Sequence, residues 1–242
     1  MNRKELLPIQ LFPLGEKAVL LQFEEEVSEH THAKIQAVAR YLDLHPTPGM
    51  IEYVPAYTTL TVYYDPWLLS EKGKIDPYDK IVTMLQEVLS KAKEQKTDKR
   101  TPVEIPVCYG GDFGPDLQEV AEYNNLSTEN VIELHSKNTY LVHMIGFAPG
   151  FPYLGGMDKR IATPRKKEPR TMIPKGSVGI AGEQTGIYPI ETPGGWQLIG
   201  RTPLVLFDPE REQPSLLKAG DQVKFVPVSE KEFQKQVKQY EH

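Results

Sequence analysis

The hydrophobic positions in the first hundred residues alternate between the spacing of strands and the spacing of helices. An apolar run from Ala18 to Phe23 predicts a buried strand. Ser28 is the predicted N-cap of the helix that follows, in which apolar residues repeat every three to four positions. Residues 50–54 and 58–64 are rich in β-branched and aromatic side chains, which predicts two further strands.

A second long helix and a further strand complete this first part of the chain. Asp76 followed by Pro77 predicts a helix start, because Asp caps free N–H groups and Pro fits the first turn. A strand predicted at Val103 to Val107 then gives the order βαββαβ. This order is typical of a ferredoxin-like fold, an antiparallel sheet with two helices on one face. We therefore predict an α+β ferredoxin-like domain over residues 1–107.

From Thr139 onward the pattern excludes long helices. Eleven of the 18 glycines fall between Thr139 and Thr202, and glycine disfavours helix interiors. The remaining apolar runs are short and separated by turn signals, which is typical of a small closed or nearly closed β-barrel. We predict this barrel over residues 108–242, with a helical insert at about 115–137. Its predicted strands are 140–145, 177–181, 187–190, 197–199, 204–207 and 222–226.

Charge and cysteine content narrow the classes of function. With 33 acidic and 28 basic side chains the formal net charge is -5, which argues against non-specific binding to a polyanion. The helical insert is itself acidic, so we predict no nucleic-acid partner. Cys108 is the only cysteine, so no intrachain disulfide can form. The sequence shows neither a signal peptide nor a membrane-spanning stretch, which predicts a cytoplasmic protein with no membrane partner.

The sequence lacks the usual signatures of self-sufficient catalysis. It contains no Gly-x-Ser-x-Gly elbow and no Walker loop. Its histidines lack the spacing of metal ligands, so no metal site is predicted. The glycine-rich run 176–182 is not followed by the helix that a phosphate cradle uses, which favours glycines at strand corners.

Candidate site residues concentrate in the loop-rich barrel region. His143 lies in a predicted strand, where a core position and a functional position are equally expected. Arg165 lies among lysines and prolines, in a rigid cationic segment suited to a carboxylate or phosphate. We predict catalytic roles for His143 and Arg165, with a solvated loop as the alternative for the lysines. The predicted substrate-binding residues are Gln184, Tyr188, Thr192 and Arg201.

Large aromatic residues stand in loops bounded by Gly and Pro, where regular strand packing cannot bury them all. We therefore predict a partner-binding patch at one end of the barrel. The alternative for Trp196 is that its ring plugs the barrel and serves stability. The predicted partner-binding residues are Phe147, Phe151, Tyr153 and Trp196.

Three segments resemble a known family: PAYTTLTVYYDP at 55–66, MIGFAPGFPYLGG at 144–156, and GSVGIAG at 176–182 running on through GGWQLIGRT at 194–202. Over nearly the whole chain they are similar to the family of KipI, PxpB and allophanate hydrolase subunit 1. The resemblance implies a cyclophilin-like form for the C-terminal barrel. It does not imply prolyl isomerase activity, since a fold can host many functions.

The resemblance also implies a set of possible activities. Family members include the B-type subunit of an ATP-dependent 5-oxoprolinase, which works with a homologous C-type subunit and a separate A-type subunit to open 5-oxoproline to glutamate. Others inhibit a sporulation sensor histidine kinase, or form part of the carboxyltransferase domain of urea carboxylases. We expect a B-type subunit of 5-oxoprolinase, with ATP as the cofactor of the whole complex. The alternative is a KipI-like regulatory protein that binds a sensor histidine kinase.

Overall fold

The computed structural model describes residues 9–24, 27–93 and 101–240 of the 242-residue chain. The chain divides into two compact units, Met1–Asp98 and Lys99–His242, which we call the N-terminal unit and the C-terminal unit. Each unit has its own hydrophobic core. Within the described ranges, no helix combines the length and the apolarity that crossing a membrane requires.

The N-terminal unit combines a small antiparallel sheet with two long helices. Its elements in chain order are β1 (Gln10–Pro13), β2 (Ala18–Gln22), α1 (Glu29–Leu44), β3 (Met50–Pro55), β4 (Thr59–Tyr64), α2 (Pro66–Leu69) and α3 (Pro77–Lys91). The sheet has the order β1-β2-β4-β3, and neighbouring strands are antiparallel throughout.

Both long helices begin where the sequence predicts. The Thr31 amide donates to Ser28 Oγ at 3.0 Å, and the Tyr78 amide donates to Asp76 Oδ1 at 2.8 Å. Each bond satisfies one of the free N–H groups at a helix start. In β4, buried residues alternate with partly exposed ones, so one face of the sheet joins α1 and α3 in a single core.

The prediction that a fourth strand, at Val103 to Val107, completes a ferredoxin-like N-terminal domain is wrong. The predicted strand exists as β5 (Val103–Tyr109), but it pairs within the C-terminal unit. Among the described residues the N-terminal sheet has four strands, and the sequence pattern did not indicate the first of them, β1. The division between the units falls between Asp98 and Lys99 rather than after residue 107.

The C-terminal unit is built around a closed barrel. After β5 its elements are α4 (Leu117–Tyr123), α5 (Thr128–Lys137), β6 (Thr139–Ile145), β7 (Pro152–Gly155), β8 (Arg170–Ile173), β9 (Ser177–Ala181), β10 (Gln184–Ile187), β11 (Thr192–Gly194), β12 (Gln197–Arg201), β13 (Gln222–Pro227) and α6 (Glu230–Tyr240). The barrel order is β10-β7-β6-β13-β5-β12-β9, and β9 pairs back with β10. β8 and β11 form a separate two-stranded ribbon.

The predicted barrel and its helical insert, α4 with α5, are confirmed, and four of the predicted strands match β6, β9, β12 and β13. The strand predicted at 187–190 lies instead at Gln184–Ile187. The stretch predicted at 204–207 is a loop with one bridge, between Phe207 and Ser215. The pattern missed β7, β8 and β11, which are only three or four residues long.

Candidate functional site

Five aromatic side chains meet at one place in the C-terminal unit, and we call them the aromatic cluster. Phe151 is 1% exposed and lies at its centre. It makes edge-to-face contacts, which stabilise beyond the area that they bury. The ring centroids lie 5.4 Å from Phe147, 5.0 Å from Tyr153, 5.3 Å from Tyr188 and 5.4 Å from Trp196.

Glycine at two positions allows the cluster to pack this closely. A Cβ atom on Gly186 would lie 2.9 Å from Phe151 and 3.1 Å from Trp196, and one on Gly194 would lie 2.5 Å from Tyr188 Oη. Burial raises the pKa of Tyr188 to about 12. The Tyr188 hydroxyl is therefore a neutral hydrogen-bonding group at physiological pH.

Phe147 differs from the other cluster members because a strained turn presents it to solvent. Its φ is +68°, and the Ala148 amide donates to Gly146 O across it at 2.8 Å. A three-residue turn with positive φ at its centre is the rare, strained form of γ-turn. For a residue with a side chain such backbone costs on the order of 1–3 kcal/mol. The Phe147 side chain is 64% exposed, so strained backbone displays an apolar ring.

The basic loop, which we define as residues 164–170, covers part of the cluster. Arg165 is exposed, and its Cζ atom lies 6.0 Å from the centroid of the Trp196 ring. This is within the range of a cation–π contact. A guanidinium that lies over a ring in this way keeps N–H donors for a carboxylate or a phosphate.

Asp116 anchors the basic loop, and sequence reasoning assigned it no such role. Its side chain is 5% exposed at the start of α4. Oδ1 accepts from Lys166 Nζ at 3.0 Å and from Arg170 Nη2 at 2.7 Å, while Oδ2 accepts from the Leu198 amide at 2.7 Å. One carboxylate therefore ties α4, the basic loop and β12 together. No local signal predicts this, because its partners lie some fifty or more residues along the chain.

Electrostatics keep this anchor ionised. Burial by itself raises the pKa of Asp116, but hydrogen bonds from Arg170, Leu198 and Lys166 outweigh it, and the net pKa is lowered. A hydrogen bond to Glu119, at 2.7 Å, is the main reason that the pKa of Lys166 is raised. The charges of Lys166 and Arg170 are thus paired. In the described part of the chain no acidic side chain pairs with Arg165.

His143, the other predicted catalytic residue, lies in a barrel strand. It occupies an irregularity in the pairing of β6 with β7 and is 6% exposed. A Cβ atom on Gly155 would lie 2.2 Å from His143 Nε2. The imidazole therefore packs directly on the bare backbone of β7. His143 is buried in the barrel wall, whereas Arg165 is exposed on a loop.

The predicted substrate-binding residues fall in separate places. Tyr188 belongs to the aromatic cluster, Gln184 begins β10 opposite Ala181, and Thr192 lies opposite Ile173 in the ribbon of β8 and β11. Arg201 ends β12 and lines a cleft of about 350 Å³ beside α6. Across residues 9–24, 27–93 and 101–240, no three His, Cys, Asp or Glu side chains are grouped to hold a metal ion.

Sequence comparison identifies the class of protein to which this chain belongs. Residues 9–217 match the family described as the carboxyltransferase domain, subdomain C and D. The chain belongs to this family, and the resemblance carried by its motifs is confirmed.

Individual relatives are more specific. The B-type subunit of 5-oxoprolinase from Bacillus subtilis is 53% identical over 93% of this chain and 95% of its own length. That of Escherichia coli O157:H7 is 45% identical over 90% of this chain and 95% of its own. The crystal structure of TTHA0988 aligns with a TM-score of 0.77 and 39% identity, covering 88% of this chain and 40% of that chain. This chain therefore corresponds to less than half of that longer polypeptide.

Proposed function

We propose that this chain is the B-type subunit of an ATP-dependent 5-oxoprolinase and that, with the A-type and C-type subunits, it opens 5-oxoproline to glutamate. The 53% identity to a subunit of that name, over nearly the full length of both chains, carries the proposal. ATP is the cofactor of the whole complex in this proposal, and this sequence itself contains no Walker loop. No contact or charge among the described residues specifically favours the alternative, binding to a sensor histidine kinase.

The same comparisons support a need for partner subunits. Most of this chain aligns with 40% of the TTHA0988 chain, so the family unit also occurs as part of a longer polypeptide. The rest of such a longer chain can supply, in one polypeptide, domains that this protein binds as separate subunits. We expect the purified chain alone to be inactive.

Phe147 is the residue that we assign to docking on the C-type subunit. Phe151 and Trp196 are buried in the C-terminal unit, where they are 1% and 6% exposed, and Tyr153 is half-buried. Phe147 alone in the cluster is mostly exposed, and it is held out on strained backbone. Strain at an exposed aromatic residue supports a binding role, because large aromatic side chains dominate the energy of many interfaces.

Arg165 and His143 are assigned to the substrate pocket on different grounds. Arg165 lies over the Trp196 ring and has no acidic partner among the described residues, so its guanidinium is offered to a carboxylate or phosphoryl group. His143 offers the proton chemistry of an imidazole, although it is buried. A His143→Gln variant distinguishes a catalytic role from a structural role. A lower kcat with an unchanged free energy of unfolding supports a catalytic role. A parallel loss of stability instead makes His143 a core residue.

Reconstitution tests the proposed function. Glutamate formation from 5-oxoproline and ATP is measured with this chain alone, with the A-type and C-type subunits alone, and with all three together. We expect turnover only in the complete mixture. Turnover by the isolated chain, or equal turnover without it, contradicts the proposal.

A Phe147→Gly variant tests the docking surface. Glycine adopts positive φ without strain, so the free energy of unfolding should rise by about 1 kcal/mol. The dissociation constant for the C-type subunit should rise about tenfold or more, because an anchor ring is lost. Met172→Ala, which truncates another exposed apolar side chain of the C-terminal unit, is the matched control. Unchanged affinity in Phe147→Gly rules out the docking role.

A further inference from the structure

The cleft beside α6 carries two cations and no acid among its lining residues. Lys175 and Arg201 both line this space of about 350 Å³. Within the described ranges, neither residue forms an ion pair with an acidic side chain. Burial lowers the pKa of Arg201, and no nearby carboxylate offsets that effect. A half-buried cation that lacks a counter-ion favours the entry of an anion.

The Arg201 guanidinium is fixed in position. Its Nε–H donates to Lys175 O at 2.8 Å. This bond uses the one donor that lies nearest the side-chain stem. The terminal amino groups remain, and in a guanidinium they form a planar fork that matches carboxylate and phosphate oxygens.

The backbone next to the two cations is held rigidly. Gly176 has φ of +82°, and a Cβ atom there would lie 2.4 Å from Thr202 O. The Thr202 amide donates to Gly176 O at 2.9 Å, and the Gly176 amide donates to Tyr188 O at 2.7 Å. Backbone bonds therefore lock Lys175 and Arg201 on neighbouring segments. A binding group that is held in place before the ligand arrives loses less entropy on binding.

Apolar side chains also line the cleft. Phe233 and Val237 project from α6, and Leu204 comes from the loop after β12. Phe233 also packs against Phe113, with ring centroids 4.7 Å apart. A cleft lined by both cations and apolar side chains suits a small molecule that has an anionic part and an apolar part.

We propose that this cleft binds a small organic anion, with its carboxylate or phosphate on Arg201 and Lys175 and its apolar body against Leu204, Phe233 and Val237. This site goes beyond the proposed function, because binding here is a property of the isolated chain and requires neither the A-type nor the C-type subunit.

Calorimetric titration of the purified full chain tests the site with three probes of similar size. Benzoate and phenyl phosphate carry the two anionic groups on a ring, and benzyl alcohol carries the ring without charge. We expect at least one anion to bind, and benzyl alcohol to bind at least tenfold more weakly. The anion that binds with the lower dissociation constant shows whether the site prefers a carboxylate or a phosphate. Absence of binding by both anions, or equal binding of the alcohol, overturns the proposal.

Two variants connect binding to the cleft. Arg201→Gln should weaken the anion at least tenfold, since a charge-assisted pair is lost. Lys175 is exposed, so Lys175→Gln keeps the fold intact and should weaken binding severalfold. Arg160→Gln, an exposed arginine that does not line the cleft, is the control and should bind like the parent. Anion binding that is unchanged in both cleft variants refutes the site.

Discussion

A buried histidine should make this protein less stable as the pH is lowered. Substitution of this histidine should remove its contribution to the pH dependence of stability. His135 on α5 is 0% exposed. Its Nε2 lies 2.9 Å from Thr185 Oγ1, and its Nδ1 lies 2.8 Å from Tyr109 Oη. The Thr185 hydroxyl donates to Gly179 O at 3.0 Å, so it accepts from His135 Nε2–H. Nδ1 is then the bare nitrogen and accepts from Tyr109.

Burial gives this imidazole a large preference for the neutral form. The pKa of His135 is lowered from 6.5 to about 3 by desolvation. The unfolded chain therefore binds a proton at this residue between these two values, and the folded chain does not. Stability must fall as the pH drops through 6.5, and this loss must level off below the folded pKa of about 3. Integration from about pH 7 to about pH 4.5 gives a loss of about 2.5 kcal/mol.

Urea unfolding at these two pH values tests this magnitude in the parent and in His135→Gln. Glutamine keeps a donor and an acceptor but does not titrate. The variant is expected to be less stable at neutral pH, and its stability should fall by about 2.5 kcal/mol less than that of the parent between the two pH values. All other titrating groups are common to both proteins. The same pH dependence in both would refute a buried, neutral His135.

Three further substitutions test the packing around the candidate site. Asp116→Asn should lower the free energy of unfolding by about 2 kcal/mol, because it removes the charge of a buried carboxylate that holds two partly exposed cations. Urea unfolding measures this loss. Glu119→Gln, at the exposed end of the same network, should cost less than about 1 kcal/mol. Gly155→Ala should lower the melting temperature, since its Cβ atom would lie 2.2 Å from His143 Nε2. His143→Ala in the same chain should recover part of that loss, and simple additivity of the two melting shifts would contradict the contact. Trp196→Ala should lower the free energy of unfolding by about 3–5 kcal/mol, because its ring is 6% exposed. Lost affinity for the C-type subunit without lost stability would instead show that Trp196 serves docking.

The helices α1, α3 and α5 were predictable because their signals are local, whereas α2 was not predicted. Ser28, Asp76 and Ser127 each cap a helix within three residues of the capping side chain. The periodic apolar face follows within the same turns, so a short window of sequence contains the whole pattern. The aromatic residues of the site were also recognisable, since Gly and Pro around them mark stiff loops.

Tertiary structure decided the features that depend on distant partners. The strand at Val103–Tyr109 is visible in the sequence, but its assignment to a barrel depends on β12 and β13, which lie about a hundred residues later. The strand that corresponds to β10 was predicted three residues too late, because Thr185 and Gly186 do not have the apolar side chains typical of a buried strand. Thr185 is nevertheless 0% exposed, because His135 satisfies its hydroxyl inside the barrel.

The site shows the same division between local and distant information. Sequence alone grouped Phe147 with Phe151 and Trp196, because all three are aromatic residues in constrained loops. Only packing separated them, since two of the rings fill the interior and a strained turn holds the third in solvent. Likewise, Arg165 and Arg170 are equivalent by composition, yet Asp116 neutralises one and leaves the other available. Charge pairing and burial are properties of neighbours in space, and in this fold those neighbours come from segments far apart in the chain.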